Sequence, residues 1–154
     1  SGGNSIFIGY QAGMAKTTQG DDVYVGYFSG KSLTVGRQNV AVGYGTLDLA
    51  AEDSANVAVG YNALTTQNAG GSSGGATETY NTAIGASAGA AITTGTENTI
   101  VGALALDAST VGVQNVAVGA GALSTCNDDS KDIKQDSIKL VLLVKLSMRH
   151  LMFI

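Results

Sequence analysis

One pentapeptide pattern returns along most of the chain at a fixed interval. It reads Ser5-Ile6-Phe7-Ile8-Gly9, Asp22-Val23-Tyr24-Val25-Gly26, Asn39-Val40-Ala41-Val42-Gly43 and Asn56-Val57-Ala58-Val59-Gly60. Three more copies follow: Asn81-Thr82-Ala83-Ile84-Gly85, Asn98-Thr99-Ile100-Val101-Gly102 and Asn115-Val116-Ala117-Val118-Gly119. The closing glycines, Gly9, Gly26, Gly43, Gly60, Gly85, Gly102 and Gly119, stand 17, 17, 17, 25, 17 and 17 residues apart. A period this strict marks a repeat architecture, in which each short unit buries its apolar face only against copies of itself.

Each position of the unit carries a physical constraint. The second and fourth residues are Ile, Val or Thr in every copy, and the third is mostly alanine. β-Branched residues at alternate positions over five residues, closed by glycine, predict a short strand and exclude a helix. The first residue is asparagine at Asn39, Asn56, Asn81, Asn98 and Asn115, a residue type that bonds its own backbone at a turn and so starts a strand. An invariant glycine at a strand end points to positive φ or close backbone approach. The next residue is Tyr10, Tyr27, Tyr44 or Tyr61 in the first four copies, then Ala86, Ala103 or Ala120. A small residue and then Gly or Leu follow, as in Thr46-Leu47 and Ala63-Leu64, and this segment is read as a second short strand.

The resulting fold class is all-β: a parallel β-solenoid of about seven 17-residue rungs over residues 1–126, with a strand spacing of about 4.8 Å and a length of roughly 30–35 Å. Stacking places the asparagines in a ladder and the tyrosines in a column, both stabilising in such arrays. Val57 and Val59 are expected to fill the coil interior, with Ala58 on the opposite, alanine-rich face that lets a neighbouring subunit approach. Leu47, Leu64 and Leu123 are expected to be poorly covered in a lone rod. The long step carries a Gly/Ser insertion, residues 68–76, expected to leave the stack as a mobile loop.

Composition changes at Cys126. All 22 glycines precede it, with eight acids against three bases, whereas residues 127–154 carry four acids and five bases. This tail does not continue the repeat. From Ile138 to Met148 alternate positions are apolar, which favours a strand, while its leucine content favours a helix; a cap, a trimerising element or a stretch foreign to the natural frame all fit. With three basic side chains it makes a poor membrane span, so no membrane insertion is expected. The net charge of −4 gives no field that attracts nucleic acid. The chain begins at Ser1, as expected of a fragment or a processed product.

Units of the form Asn-Val/Thr-Ala-Val/Ile-Gly-Tyr-x-Ala-Leu, best seen at 39–47, 56–64 and 115–123, resemble the repeats of bacteriophage tail fibres and of YadA-type trimeric autotransporter adhesin heads. The resemblance covers about residues 4–126. It implies a left-handed β-roll, three chains side by side as a homotrimer, and a fibre shaft or adhesive head on a virion tail or bacterial surface. That role implies attachment to a host cell-surface glycan or protein receptor. Adhesin head repeats are usually shorter than 17 residues, and the tail does not resemble the self-cleaving chaperone domain that often ends phage fibres.

No enzymatic constellation emerges, and no cofactor or metal is expected. Gly26-Tyr27-Phe28-Ser29-Gly30-Lys31-Ser32 approaches a phosphate-binding loop but has three residues between its glycines where four are needed. His150 is the only histidine, so a catalytic triad would have to use it, and zinc ligands do not cluster. Asp48, Glu52, Asp53, Glu78, Glu97 and Asp107 read as solubilising turn charges, and Asp21-Asp22 as a weak cation candidate. The tyrosine column is the candidate surface-binding feature, for sugar faces, against a role in packing between rungs or subunits. A ligand-binding solenoid of the ice-binding or glycan-binding kind is the alternative to a structural fibre. An ice-binding surface would need a threonine array, which Thr82 and Thr99 do not extend.

Overall fold

The computed structural model describes residues 3–18, 20–70 and 75–125. Every repeat pentapeptide contributes one three-residue strand: β1 (Ile6–Ile8), β2 (Val23–Val25), β3 (Val40–Val42), β5 (Val57–Val59), β7 (Thr82–Ile84), β8 (Thr99–Val101) and β9 (Val116–Val118). These form one parallel seven-stranded sheet in that order, with Ile6, Val23, Val40, Val57, Thr82, Thr99 and Val116 in register. Over the described residues the chain is an all-β solenoid of about six turns. A second, two-stranded parallel sheet pairs β4 (Asp53–Ser54) with β6 (Thr77–Glu78), flanking the long step.

The strand alternation is as read, but its two faces are reversed. The third position points inward: Tyr24, Ala41, Ala58, Ala83, Ile100 and Ala117 are fully buried. Val57 and Val59 do not fill the interior; they flank Ala58 on the outer face and are half-buried. Thus the alanine-rich face is the core, not the subunit-facing surface. The reason is width. The opposite wall sends Leu47 and Leu64 into the same space, and both are fully buried, so the lone coil covers them; Leu123 is half-buried at the end of the described residues.

Those leucines also explain why the expected second strand is absent. Leu47, Leu64, Leu106 and Leu123 have φ of 48–56°, and the residues two before them are also left-handed or glycine, so the segment is a turn. Left-handed backbone costs about 1–2 kcal/mol, whereas burying a leucine contributes about 1.5–3 kcal/mol. Burial therefore wins, and rungs without a leucine place Gly13, Gly30 or Gly89 there instead.

Glycine accompanies the aromatic strands and leucine most of the alanine strands; the Ile100 rung, which carries Leu106, departs from this, with Ile100 reaching over Gly89 of the rung before. A β-carbon on Gly30 would stand 2.9 Å from the Tyr24 ring, and one on Gly13 would stand 3.1 Å from the Phe7 ring. Where the strand supplies alanine, as at Ala41, Ala58 and Ala117, the turn supplies Leu47, Leu64 and Leu123. Gly89 shares its rung with Ala83, and that space is filled by Leu64, Ile92 and Ile100, the last with its terminal methyl 2.8 Å from where a β-carbon would lie. A third inward column, seven residues after each closing glycine, includes Leu33, Ala50, Gln67, Ile92 and Ser109, all buried.

The asparagines form the expected ladder, but they bond chiefly to the next rung and not to their own turn. The backbone N–H of Asn39 donates to Asp22 Oδ1, and Asn56, Asn81, Asn98 and Asn115 each donate to Oδ1 of the preceding asparagine, all at 2.9–3.0 Å. The side-chain amides of Asn56, Asn98 and Asn115 donate to the same oxygens. At the long step the ladder is spliced: Thr79 Oγ1 donates to Asn56 Oδ1 at 2.8 Å, and Asn81 Nδ2 donates to Gln67 Oε1 at 3.0 Å.

The closing glycines have φ of 127–137°, a region L side chains avoid. From Gly9 to Gly102, an added β-carbon would collide with the carbonyl of the next closing glycine. Gly60→Val is expected to destabilise by about 1–3 kcal/mol, through forced φ and this collision; an unchanged melting temperature would contradict it. The volume pairing gives a sharper test. Gly30→Leu alone should lower the melting temperature, and adding Tyr24→Ala, which gives the rung the Ala41/Leu47 pairing, should recover part of the loss. No recovery would refute reciprocal packing.

Candidate functional site

The outer surface carries three features: the tyrosine column, the outward face of the seven-stranded sheet, and the flanks of the insertion. Tyr10, Tyr27, Tyr44 and Tyr61 follow the closing glycines, so the glycine register puts their rings one above another. Ring centroids are 5.1, 5.2 and 5.3 Å apart with interplanar angles of 19°, 2° and 14°. All four remain 43–60% exposed. Their faces are turned to one another along the rod, so what the column offers to solvent is chiefly ring edge. Phe28 packs beside it, 4.1 Å from Tyr27 between centroids, and Lys31 Nζ lies 4.4 Å over the Phe28 ring.

The outward sheet face holds two columns. One is Ile6, Val23, Val40, Val57, Thr82, Thr99 and Val116; the other is Ile8, Val25, Val42, Val59, Ile84, Val101 and Val118. None of these residues is charged. Ile6, Ile8, Ile84 and Val118 are among the exposed large hydrophobic residues of the coil. Sequence reading missed this surface because alternation alone does not say which set of side chains faces in.

The insertion is anchored at both flanks. Asp53 is fully buried, and its Oδ1 accepts the backbone N–H of Ala69 at 2.8 Å and of Gly70 at 3.3 Å. On the far side, Thr77–Glu78 pairs in parallel with Asp53–Ser54. Of residues 68–76, expected to leave the stack as a mobile loop, residues 68–70 are instead held to it by the buried Asp53 and the Thr93 carbonyl, and residues 71–74 lie outside the described residues. Asp53 and the buried Glu52 are structural, not solubilising charges.

The remaining candidates separate. Asp21 is exposed and accepts from the Asn4 N–H at 3.1 Å, whereas Asp22 is buried in the ladder, so the two carboxylates do not converge. Gly26 and Gly30 serve rung stacking and Tyr24 packing, and Lys31 pairs with Asp48 at 3.2 Å, which leaves no phosphate cradle. Cys126, His150 and the whole segment 127–154 lie outside the described residues. Comparison with protein-family models, with curated proteins and with solved structures gave no match.

Burial raises the pKa of Asp53 above the usual carboxylate value, against the lowering effect of the Ala69 and Gly70 N–H groups. A carboxyl whose folded pKa is raised costs stability when ionised, fully so above the folded pKa, and that cost disappears as pH falls below the unfolded value. Asp53→Asn keeps an acceptor for Ala69 and Gly70. Its melting temperature relative to wild type should therefore be highest near neutral pH and decline as pH falls through the raised pKa. A difference independent of pH would show that Asp53 ionisation carries no such cost.

Proposed function

We propose that this segment is the structural β-solenoid of a trimeric fibre shaft or adhesive head, acting mechanically and by attachment rather than by catalysis. The observation that carries the reading is the uncharged outward sheet face. The core is complete within one chain, so these β-branched columns are surplus to folding and leave an elongated apolar patch, the kind of surface that marks an interaction site.

A second copy of the same chain is the occupant that fits. It presents the same columns at the same rung spacing, and parallel rods related by a cyclic axis bury equivalent faces in a closed assembly. Three rods around one axis is the arrangement implied by the resemblance to tail-fibre and adhesin repeats. Rigidity comes from continuous rung-to-rung hydrogen bonding, which suits a shaft. In that arrangement the tyrosine column, with Phe28 and Lys31 beside it, and the insertion are the surfaces available to a host glycan or protein receptor on a virion tail or bacterial surface.

The test is the oligomeric state. Light scattering on the whole chain should give a trimer at micromolar concentration. Val42→Lys with Val59→Lys should give a monomer whose circular dichroism is retained, because neither side chain fills the core. A wild-type monomer, or a trimer that survives both substitutions, would reject this face as the interface.

A further inference from the structure

At the N-terminal end of the coil, two charged side chains meet, the aspartate fully buried and the lysine bordering an open pocket beside Phe7 and Gly13. Lys16 Nζ lies 2.7 Å from Asp22 Oδ2, with 6% of the lysine side chain and none of the aspartate exposed. The repeat demands neither charge. Lys16 occupies the inward column that other rungs fill with Leu33, Ala50 or Ile92, and Asp22 occupies the ladder position that the five later rungs fill with asparagine. An asparagine there would supply the same acceptor to Asn39. The carboxylate and the amine are a departure from the pattern, and they are placed against each other.

The surroundings are those of an acyl-transfer site. Asp22 Oδ1 accepts the Asn39 backbone N–H at 2.9 Å and Asn39 Nδ2 at 3.4 Å, two fixed donors on the oxygen that would carry negative charge if Cγ became tetrahedral. Oδ2 has no hydrogen bond apart from its contact with the lysine. Gly20 closes over it, since a β-carbon there would collide with Oδ2. Lys16 Nζ also donates to the Gly36 carbonyl, which fixes the amine in position. The Tyr24 hydroxyl is buried without a hydrogen-bond partner, and burial first, then the charge of Asp22, hold it as a neutral O–H.

We propose that Lys16 and Asp22 join in the folded chain as an intramolecular isopeptide bond. One proton passes from the Nζ ammonium to Oδ2 across their contact, leaving an amine and a neutral acid. The Nζ lone pair attacks Cγ, and the charge on Oδ1 is held by Asn39. A second Nζ proton moves across the same contact to the Oδ2 hydroxyl. The Cγ–Oδ2 bond breaks, water departs, and the Cγ–Oδ1 double bond re-forms. An ammonium and a carboxylate become one amide and one water, with no oxidant, reductant or added reagent. The fold supplies proximity, which replaces a bimolecular encounter by a held contact, and burial of the Asp22 carboxyl limits access of water to Cγ. The bond would tie the turn after β1 to the start of β2, at the end of the coil where Phe7 is 40% exposed.

Mass spectrometry of the whole folded chain, held at neutral pH and then denatured, tests this. The expected mass is lower than the sequence mass by one water, trypsin fails to cut after Lys16, and fragment ions place the loss across Lys16 and Asp22. Lys16→Arg, which keeps a buried cation, should retain its full mass. Asp22→Asn, if it reacts, should lose ammonia in place of water. A wild-type chain at full mass after prolonged incubation overturns the proposal. So does a water loss that persists in Lys16→Arg, which would mark a cyclic imide at aspartate instead.

Discussion

A single turn of this coil cannot satisfy its own buried polar groups. Each ladder asparagine lies at zero or near-zero exposure from Asn39 to Asn98, and its side-chain oxygen is bonded by the N–H of the next rung. An unpaired buried amide costs about 1–3 kcal/mol, comparable with what the burial of one core side chain contributes. A rung is therefore stable only between rungs. Parallel order, the shared 17-residue spacing and the invariant closing glycines follow from that dependence, because any shift in one turn would break the bonds of two neighbours. Where the chain inserts residues after Gln67, the ladder is preserved by substitutes, with Thr79 and Gln67 taking the places of missing amide contacts.

Much of this was legible in the sequence, and the boundary of legibility has a physical cause. Period, strand positions, glycine placement and the asparagine and tyrosine columns all concern what repeats, and repetition is visible without coordinates. Which face of the strand points inward concerns depth, and Val57-Ala58-Val59 reads equally well either way up. The answer lay in the opposite wall: Leu47 and Leu64 need the space that Ala41 and Ala58 leave. Their left-handed backbone hid this, since leucine in such a conformation defies local propensity and is held there only by burial. The role of Asp53 was hidden for a related reason, because its partners Ala69 and Gly70 belong to the insertion and to no repeat.

The division between inside and outside also separates what fills the coil from what it presents to its surroundings. The interior columns are complete within one chain, whereas the outward Val and Ile columns and the exposed edges of the stacked tyrosines take no part in filling it. Substitution on the outer surface leaves the packing of the interior columns untouched. A rod of this kind can vary what it touches while keeping how it stacks.

The alternation of large and small side chains has a further consequence for how such a chain finds its order. Seven similar strands offer many wrong neighbours, and the glycines of all seven and the asparagines of the last five do not distinguish them. Volume does. The Phe7/Gly13 and Tyr24/Gly30 rungs stack ring on ring at 5.0 Å, while the Ala41/Leu47 and Ala58/Leu64 rungs fill from the other wall. An aromatic strand closed by a leucine turn would press that leucine against the ring, and an alanine strand closed by a glycine turn would leave a void unless a neighbouring rung filled it. The paired volumes thus set the aromatic rungs at the start of the coil apart from the alanine and leucine rungs that follow, so that a nearly uniform sequence still carries a direction along the rod.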